Sequence, residues 1–524
     1  MKRIFIYSLA LLTIAIIAAA FVWPWMWWVF IVLGPLLVVA IYDLLQKKHT
    51  ILRNYPIVGH IRYFLEDFRH HIRQYLIQGD KEGDPFNRMQ RSIVYQRAKH
   101  DPDLVPFGTI IDVYSEGAEW FEHSLAPLDP PDEPPRIRFG NAQCAKPYEA
   151  ALLNISAMSF GALSKHAILA LNEGASIGGF AHNTGEGGLS RYHLKPGGDV
   201  IWEIGTGYFG CRTADGRFDP ELFEDKATLD VVKMIELKLS QGAKPGGGGI
   251  LPGAKVTPDI ASARGVPIGK DVVSPARHGT FGTPIEMMHY IAKLRELCGG
   301  KPVGFKLCIG RRDQFLALCK AMLETGILPD YVVVDGNEGG TGAAPAEFAD
   351  HIGVPLREAL IFVHNALVGA GLREQIRVVA TGKMIDGFDI ARALAIGADA
   401  CYSARGMMFA LGCIQARTCH TNRCPTGVAT QDPWRVSGLV VKDKAKRVAS
   451  YHASTVYHFQ KLLAACGFES PEQLQPKHLK QRISAFEISD YARLHTYLEP
   501  EALLQGHAPG AYRDAWAAAD PGSF

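Results

Sequence analysis

Short apolar runs recur through the middle of the chain, and each ends in a turn rich in glycine and polar residues. The clearest runs are Leu152–Met158, Val303–Cys308, Tyr331–Asp335, Arg377–Thr381 and Ala400–Ser403. Segments with apolar residues at helical spacing lie between them, such as Thr283–Cys298 and Gln314–Thr325. Continuous apolar strands that alternate with helices are typical of a parallel sheet covered by helices. We therefore predict an α/β fold, a (β/α)8 TIM barrel, whose active site lies where the polar turns follow the strands.

Charge and cysteine content restrict the class of protein further. The chain has 524 residues with 55 basic and 53 acidic side chains, a formal net charge of +2, so nothing indicates a nucleic acid partner. Ten cysteines are scattered except for one group of three. In a chain this long, that pattern is not a disulfide framework, and it indicates a reducing compartment where thiolates can hold a metal.

The group of three comprises Cys413, Cys419 and Cys424, followed at once by Pro425. Soft thiolate ligands on one short loop select an iron–sulfur cluster or zinc over hard cations. Because a fourth cysteine is missing, the spacing indicates a three-iron cluster or a cluster with one unusual ligand.

The N-terminal residues 1–49 have the pattern of a transmembrane helical hairpin. Ile4–Val22 and Trp25–Tyr42 are each near the ~20 apolar residues that a helix needs to span a bilayer. Pro24 and four neighbouring tryptophans separate them, and tryptophan favours the membrane–water interface. A cleaved signal peptide is the alternative, since the first run follows two basic residues.

Basic residues flank the hairpin on both sides, and the connecting turn has none. They are Lys2, Arg3, Lys47, Lys48 and Arg53. The positive-inside rule then places both ends in the cytoplasm. We expect a multi-pass protein of the inner (cytoplasmic) membrane with its catalytic domain in the cytoplasm.

Three further regions follow the hairpin. Residues 50–145 form an amphipathic linker region, in which Arg62–Ile77 predicts a helix that lies either on the anionic inner leaflet or on the catalytic body. Residues 146–432 form the predicted barrel with its cysteine loop. Residues 433–524 are predicted to be a helical extension, with the helical spacing clearest over Lys442–Cys466.

Two glycine-rich turns follow consecutive late strands of the predicted barrel. They are Gly339–Gly342 and Thr381–Lys383. Backbone N–H groups in such turns can bind a phosphate, and barrels often bind phosphate after strands seven and eight. Either turn alone is more often only a turn, but the two together favour a phosphate-bearing cofactor such as a flavin.

Six stretches in order along residues 150–432 closely resemble the FMN-binding synthase domain of glutamate synthase. They are Ser156–Ser164, Asn183–Gly188, Gln241–Gly246, Leu251–Gly253, Gly339–Ala343 and the cysteine loop. The resemblance implies two cofactors, FMN and a 3Fe-4S cluster. It also implies that electrons pass through the cluster and FMN to 2-iminoglutarate, formed from 2-oxoglutarate and ammonia, to give glutamate.

The resemblance also implies roles for individual residues. Glu186 would orient or protonate the imine, and Lys244 and Arg264 would hold substrate carboxylates. Cys413, Cys419 and Cys424 would bind the cluster. The expected FMN-binding residues are Ser156, Ala157, Met158, Gln241, Lys306, Gly340, Thr341, Gly342, Gly382, Lys383, Ala404 and Arg405. Each charged residue would otherwise be interpreted as a solvated or helix-capping group.

Departures from the family pattern leave the substrate open. Gly247 replaces a glutamate, and Ile250 replaces a glutamine that is expected to contact 2-oxoglutarate. Losing a hydrogen-bonding partner weakens discrimination between substrates. The alternatives are a membrane-coupled flavoenzyme acting on another amino or 2-hydroxy acid, and a non-catalytic redox subunit.

The sequence also has no motif for two domains that the family resemblance would lead us to look for. We expect no glutaminase domain and no Gly-x-Gly-x-x-Gly nicotinamide unit. Ammonia would then be free or come from a partner. Electrons would come from ferredoxin, a reductase or a membrane donor.

Overall fold

A computed structural model describes residues 2–524, which form two compact units, Met1–Arg88 and Met89–Phe524. The first unit is entirely helical in its regular structure. Its α-helices are Lys2–Val22, Phe30–Leu45, Thr50–Asn54 and Gly59–Ile72, with a 3-10 helix at Pro24–Val29 and a π-helical turn at Arg73–Ile77. The helix break predicted at Pro24 is confirmed. The side chains of Lys2 and Arg3, used in the topology prediction, lie outside the described part of the chain.

Two segments of this unit are long and apolar enough to cross a membrane. Ile4–Val22 has 19 residues and Pro24–Leu45 has 22, and only 6% and 17% of their respective windows are buried. Core helices of soluble proteins are mostly buried, so these are not helices of that kind. A signal sequence has the same length and composition as the first segment.

Eight parallel strands form a closed barrel in the second unit, as predicted. In chain order they are β1 Leu153–Ile155, β2 His182–Asn183, β3 Val200–Ile204, β4 Val232–Lys238, β5 Val303–Leu307, β6 Tyr331–Asp335, β7 Arg377–Thr381 and β8 Ala400–Ser403. Each strand pairs with its neighbour in sequence, and β8 closes the barrel on β1 through the pair Cys401 and Leu153. The five strand segments named from the sequence are all confirmed.

Strands β2, β3 and β4 are not marked by uninterrupted apolar runs. β2 has only two residues, and the β3 and β4 sequences contain Glu203 and Glu236, which are both buried. Acidic residues inside a parallel strand break the apolar signal that identifies buried strands. Their burial means that the barrel interior is partly polar.

Helices surround the barrel and extend beyond it. The α-helices are Arg88–Lys99, Lys165–Gly178, Arg191–Leu194, Pro220–Ala227, Pro258–Arg264, Pro284–Leu297, Arg312–Thr325, Ala346–His351, Leu356–Gly369, Gly387–Ala395, Arg405–Ala410, Pro433–Ser437, Val441–Ala465, Tyr491–Leu494 and Gly510–Ala518. Short 3-10 helices occupy Gly253–Lys255, Arg373–Gln375, Cys419–Thr421, Pro471–Gln473 and Pro476–His478. The helices predicted near 283–298, 314–325 and 442–466 are confirmed.

Small antiparallel sheets complete the unit. Arg136–Phe139 pairs with Tyr148–Ala151, and Ile250–Leu251 pairs with Val272–Val273. A third sheet joins the strands Glu119–Phe121, Leu479–Arg482 and Ile488–Asp490. The C-terminal region is therefore helical only in part, because Leu479–Arg482 pairs both with a strand from the region before the barrel and with Ile488–Asp490. The sequence pattern gave no signal for this long-range pairing.

Candidate active site

The predicted site residues lie where the barrel strands end. Ser156, Ala157 and Met158 follow β1, Glu186 lies three residues after β2, and Lys306 is within β5. The remaining predicted barrel residues lie in the turns after β4, β6, β7 and β8, except Arg264, which ends the helix Pro258–Arg264. Parallel strands of a closed barrel all end at one face. The fold therefore brings these side chains to one opening.

A carboxylate and several cations share one cavity at this face. Its walls include Glu186, Lys238, Gln241, Lys244 and Gly247. The Lys238 ammonium lies 2.9 Å from Glu186 Oε2, and both side chains are largely shielded from solvent. Burial alone would raise the pKa of Glu186, but Lys238, Lys244 and Arg264 lower it to about 2. Glu186 is thus ionised and faces three positive charges.

Arg264 supports this cluster from a buried position. Its Nη2 donates to the backbone oxygen of Phe160 at 3.1 Å, and its guanidinium carbon lies 4.9 Å from the centre of the Phe209 ring. Burial lowers its pKa to about 10, and Glu186 opposes that shift. Arg264 Nε is buried with no hydrogen-bond partner among residues 2–524. A buried donor without a partner is costly, so this group is a candidate for contact with a ligand.

Glycine is needed beside the carboxylate. A Cβ atom placed on Gly249 would lie 2.7 Å from Glu186 Oε1. Any larger residue would displace the carboxylate from its position. The run Gly246–Gly249 therefore forms a thin cavity wall over Glu186.

Lys238 links the carboxylate to the next two turns. Its ammonium donates to Gln241 Oε1 at 2.7 Å, and Gln241 Nε2 donates to Thr341 Oγ1 at 3.3 Å. The chain of contacts therefore runs from the turn after β2 through β4 to the turn after β6. This arrangement places predicted substrate residues and predicted flavin residues in one hydrogen-bonded system.

Lys306 lies inside the barrel with two carboxylates. It forms an ion pair with Glu203, and its ammonium lies 3.6 Å from Glu236 Oε1. Asn183 Nδ2 donates to the same Glu236 oxygen at 2.9 Å. Burial raises the pKa of Glu236 to about 8, although Lys306 opposes this shift, and the two carboxylates raise the pKa of Lys306. Glu236 is therefore protonated at neutral pH, and Lys306 stays charged.

The turns after β6 and β8 contact each other. Arg405 Nη2 donates to the backbone oxygen of Glu338 at 2.6 Å, and a Cβ atom on Gly340 would lie 2.9 Å from the Arg405 side chain. Burial lowers the pKa of Arg405 to about 10. Ser156 Oγ and Thr381 Oγ1 lie 3.2 Å apart, joining the ends of β1 and β7. A cation, hydroxyl groups and glycine-rich backbone thus meet at this side of the barrel.

The cysteine loop follows the helix Arg405–Ala410. Burial is the main cause of the raised pKa values of Cys413 and Cys419, and neighbouring thiols of the group add to it. The Gln415 N–H donates to Cys413 Sγ at 3.4 Å, and Lys255 Nζ donates to the backbone oxygen of Cys419 at 2.9 Å. Within residues 2–524, no three His, Cys, Asp or Glu side chains are gathered closely enough to define a metal site.

The two substituted positions of the glycine loop differ in their surroundings. Gly247 lines the cavity, and a Cβ atom there would lie 3.5 Å from the Phe348 ring. Ile250 pairs with Val273, is 63% exposed and is not part of the cavity wall. Of the two substitutions, only that at Gly247 changes the wall itself.

Lys238 is the principal residue that sequence reasoning missed. It is the last residue of β4, three positions before Gln241. Lysine at the C-terminal end of a barrel strand is a recognisable signal, because active-site residues concentrate there. The signal was hidden because β4 itself was not identified. Lys255, beside the cysteine loop, was missed because it lies in a distant 3-10 helix.

Comparison with known proteins defines the family. The family model described as the conserved region in glutamate synthase matches residues 130–469. Glutamate synthase large subunit-like protein YerD of Bacillus subtilis is 40% identical over 488 residues, covering 85% of this chain and 92% of that protein. The archaeal glutamate synthase (NADPH) of Methanocaldococcus jannaschii is 36% identical, covering 61% of this chain and 60% of that protein.

Similarity among solved structures is more distant. A mutant flavocytochrome b2 with pyruvate bound has a TM-score of 0.43 and 13% identity, covering 85% of this chain and 97% of that chain. A similarity this weak does not bear on function. The extent of the family match and the identity to the B. subtilis protein together show that the chain belongs to the glutamate synthase family.

Proposed function

We propose that this glutamate synthase-type oxidoreductase makes glutamate from 2-oxoglutarate and ammonia by reducing 2-iminoglutarate beside FMN. The observation that carries the proposal is the charge of the cavity. In the cavity wall Glu186 contributes one negative charge and Lys238 and Lys244 contribute two positive charges, and the buried Arg264, whose charge also acts on Glu186, contributes a third. The resulting excess of two positive charges complements a dicarboxylate, which carries two negative charges.

Lys244 is the cation best placed to bind a substrate carboxylate. It lines the cavity, and its side chain has no hydrogen-bond or ion-pair partner within 4 Å among residues 2–524. Burial lowers its pKa, and Glu186 opposes that effect. A partly buried ammonium that lacks an anion gains from binding one, and a charge-assisted hydrogen bond is stronger than a neutral one.

Glu186 is suited to orient a cationic imine rather than to donate a proton. A carboxyl group with a pKa near 2 is ionised at any physiological pH. Fixed negative charge beside the imine nitrogen favours the protonated imine, which accepts a hydride more readily than the neutral imine. Lys238 holds Glu186 in place, because its ammonium contacts Glu186 and also donates to Gln241, and these two contacts fix its position.

The residues around the barrel opening fit FMN. Arg405, Lys383 and the glycine turns after β6 and β7 would hold the phosphate, and Ser156, Ala157, Met158 and Gln241 would lie along the ring. The Gly382 φ of +151° and the Lys383 φ of +51° give that turn the open backbone that close approach to a phosphate requires. FMN, when bound, would supply the hydride.

Lys306 would stabilise negative charge on the flavin ring. Its ammonium is held inside the barrel by Glu203 and Glu236. Because Glu236 is protonated at neutral pH, the group retains a net charge close to zero. A neutral Glu236 does not cancel the charge of the Lys306 ammonium, which can therefore attract negative charge on the ring.

Cys413, Cys419 and Cys424 are proposed to bind a 3Fe-4S cluster, which would pass electrons singly. The donor set is soft, and the N–H bond from Gln415 to Cys413 Sγ is of the kind that tunes cluster potentials. Lys255 offers compensating positive charge: burial lowers the pKa of that lysine, and Cys419 and Cys424 oppose the shift. Ferredoxin or a separate reductase would supply electrons.

The hairpin is proposed to anchor the enzyme in the cytoplasmic membrane, with the barrel in the cytoplasm. Only 6% of the first segment's window and 17% of the second segment's window are buried. Helices of this composition are stable in lipid and would aggregate in water. The anchor would hold the enzyme near a membrane-associated electron donor.

Ligand binding to the oxidised holoenzyme tests the proposed substrate. We expect 2-oxoglutarate to perturb the flavin absorbance, and Lys244→Met to weaken its Kd by about 10- to 100-fold, because a charged hydrogen bond contributes about 1.5–3 kcal/mol. Lys233→Met is the matched control, since Lys233 forms a surface pair with Asp199 at 3.6 Å. Absence of any perturbation by 2-oxoglutarate would contradict the proposal.

A second substrate class is favoured by one observation. Gly247 leaves the cavity wall without the family's glutamate, which makes room for a bulkier or more anionic acid. Titration with other 2-oxo and 2-hydroxy acids tests this possibility. Tighter binding of one of them than of 2-oxoglutarate would assign the same chemistry to a different acid.

A further inference from the structure

The helix Gly59–Ile72 carries a continuous apolar stripe that is open to solvent. Ile61, Phe64, Leu65 and Phe68 follow the i, i+3, i+4, i+7 spacing of one helical face. Their side chains are between 47% and 59% exposed. The rings of Phe64 and Phe68 lie 4.6 Å apart, so the two side chains form one continuous apolar surface. Leu76 and Ile77, just beyond the helix, are more exposed still.

Basic and acidic residues occupy the rest of the helix surface. By helical spacing, Arg62 and Arg69 lie along one side of the stripe and Asp67 and His71 along the other. Glu66, Tyr63 and His70 lie opposite it. Arginine that flanks a narrow apolar stripe is the pattern of helices that lie in the interface of anionic membranes. Arginine also suits phosphate groups, because its planar guanidinium can donate two hydrogen bonds to them.

A buried carboxylate ties this helix to the end of the second apolar helix. Asp43 lies in the last turn of Phe30–Leu45 and is fully buried. Its Oδ2 accepts from the Ile57 N–H at 2.9 Å, and its Oδ1 lies 2.9 Å from His60 Nε2. A carboxylate at the end of a membrane span lies near the lipid headgroups. The start of the amphipathic helix is therefore fixed at the same depth.

We propose that Gly59–Ile72 lies in the plane of the membrane, with its stripe inserted in the cytoplasmic leaflet of an anionic bilayer. The proposal rests on the membrane anchoring proposed above and adds a second mode of attachment to it. Arg62 and Arg69 contact lipid phosphates, and the Asp43–His60 pair sets where the helix enters the interface. The hairpin spans the membrane, whereas this helix lies on it.

Photo-crosslinking of the full-length holoenzyme in lipid nanodiscs tests the proposal. The photoreactive residue p-benzoylphenylalanine replaces Phe64 or Phe68 on the stripe, Glu66 or Tyr63 opposite it, and Val38 in the hairpin. We expect lipid adducts at Phe64, Phe68 and Val38, with much lower yields at Glu66 and Tyr63. We also expect the yields at Phe64 and Phe68 to fall when phosphatidylcholine replaces phosphatidylglycerol.

The outcomes separate this proposal from the anchoring on which it depends. Lipid adducts at Val38 together with protein adducts at Phe64 and Phe68 would overturn the interfacial helix alone, and mass spectrometry would identify the barrel unit or a second copy as its partner. Equal lipid yields on both helix faces, or in both lipid compositions, would overturn the specific contact with anionic lipid. Absence of lipid adducts at Val38 would overturn the membrane anchoring and this proposal together.

Discussion

The Lys238 ammonium lies 2.9 Å from the carboxylate of Glu186, and this pair organises the candidate active site. Lys238→Met removes the nearest cation and leaves a largely shielded carboxylate. We expect the pKa of Glu186 to rise and glutamate formation to lose about 1–3 kcal/mol of transition-state stabilisation, the range for a buried polar group left unpaired. Steady-state kcat/KM measures the loss.

A matched control for this variant lies on the same strand. Lys233→Met breaks only a partly exposed pair with Asp199, and such pairs contribute about 0–1 kcal/mol. Equal losses of kcat/KM in the two variants would show that the Lys238–Glu186 pair has no special role.

Glu236 predicts a pH-dependent stability difference. Its carboxyl keeps its proton up to about pH 8 in the folded protein, whereas the ordinary value is 4.5. The unfolded chain binds fewer protons between these values, so wild-type stability falls as pH rises through that window. The glutamine side chain of the Glu236→Gln variant cannot ionise, so the free energy of unfolding of the variant does not fall in this way. We expect the variant to gain about 1–4 kcal/mol relative to wild type between pH 5 and pH 8.

Thermal unfolding of both proteins at pH 5, 6.5 and 8 measures this difference. Glu149→Gln serves as the control, because Glu149 forms an exposed pair with Arg138 at 3.7 Å. A constant difference between Glu236→Gln and wild type across the three pH values would show that Glu236 is already ionised at pH 5.

The cysteine loop predicts a selective loss of metal. Cys413→Ser or Cys424→Ser should remove most of the iron and acid-labile sulfide and the visible cluster absorbance, because the proposed cluster needs all three thiolates as ligands. Cys466→Ser, at a half-buried position outside the loop, should leave them unchanged. Iron and sulfide assays decide the matter. Zinc without sulfide in the wild-type protein would contradict the cluster assignment.

The two family departures predict unequal effects. Ile250 is 63% exposed and outside the cavity wall, so Ile250→Gln should change kcat/KM for 2-oxoglutarate by only about twofold, as for most surface substitutions. Gly247→Glu adds a negative charge to the wall and should weaken dicarboxylate binding by about 1 kcal/mol. A large gain of activity in Ile250→Gln would place that side chain in the substrate site during turnover.

Most of the repeating strands and helices of the barrel could be predicted from the sequence, but few of the contacts between side chains on different strands could be. The strands with uninterrupted apolar runs, such as Tyr331–Asp335, were identified because a strand that is buried on both faces has apolar residues at consecutive positions. Strand Val232–Lys238 was missed because Glu236 and Lys238 face polar partners from strand β2 and the turn that follows it. Contacts between distant residues leave no periodic signal.

The same distinction holds for the site. Glu186, Lys244 and Arg264 were found through motifs that the family resemblance supplied, and the structure gathers their charges in one place. The partners of Lys306 could not be predicted, since Glu203 and Glu236 lie on separate strands and only the closed barrel brings them within reach. The pairing of Glu119–Phe121 with Leu479–Arg482 could not be predicted either, because the two strands are far apart in the sequence.

Single-turnover reoxidation tests the central claim most directly. The holoenzyme is purified anaerobically in detergent, its flavin is reduced chemically, and 2-oxoglutarate is added with ammonium while flavin absorbance is followed. Rapid reoxidation with about one glutamate formed per flavin is the result that the proposed function predicts. A flavin that stays reduced, with no glutamate formed, would contradict 2-oxoglutarate as the substrate.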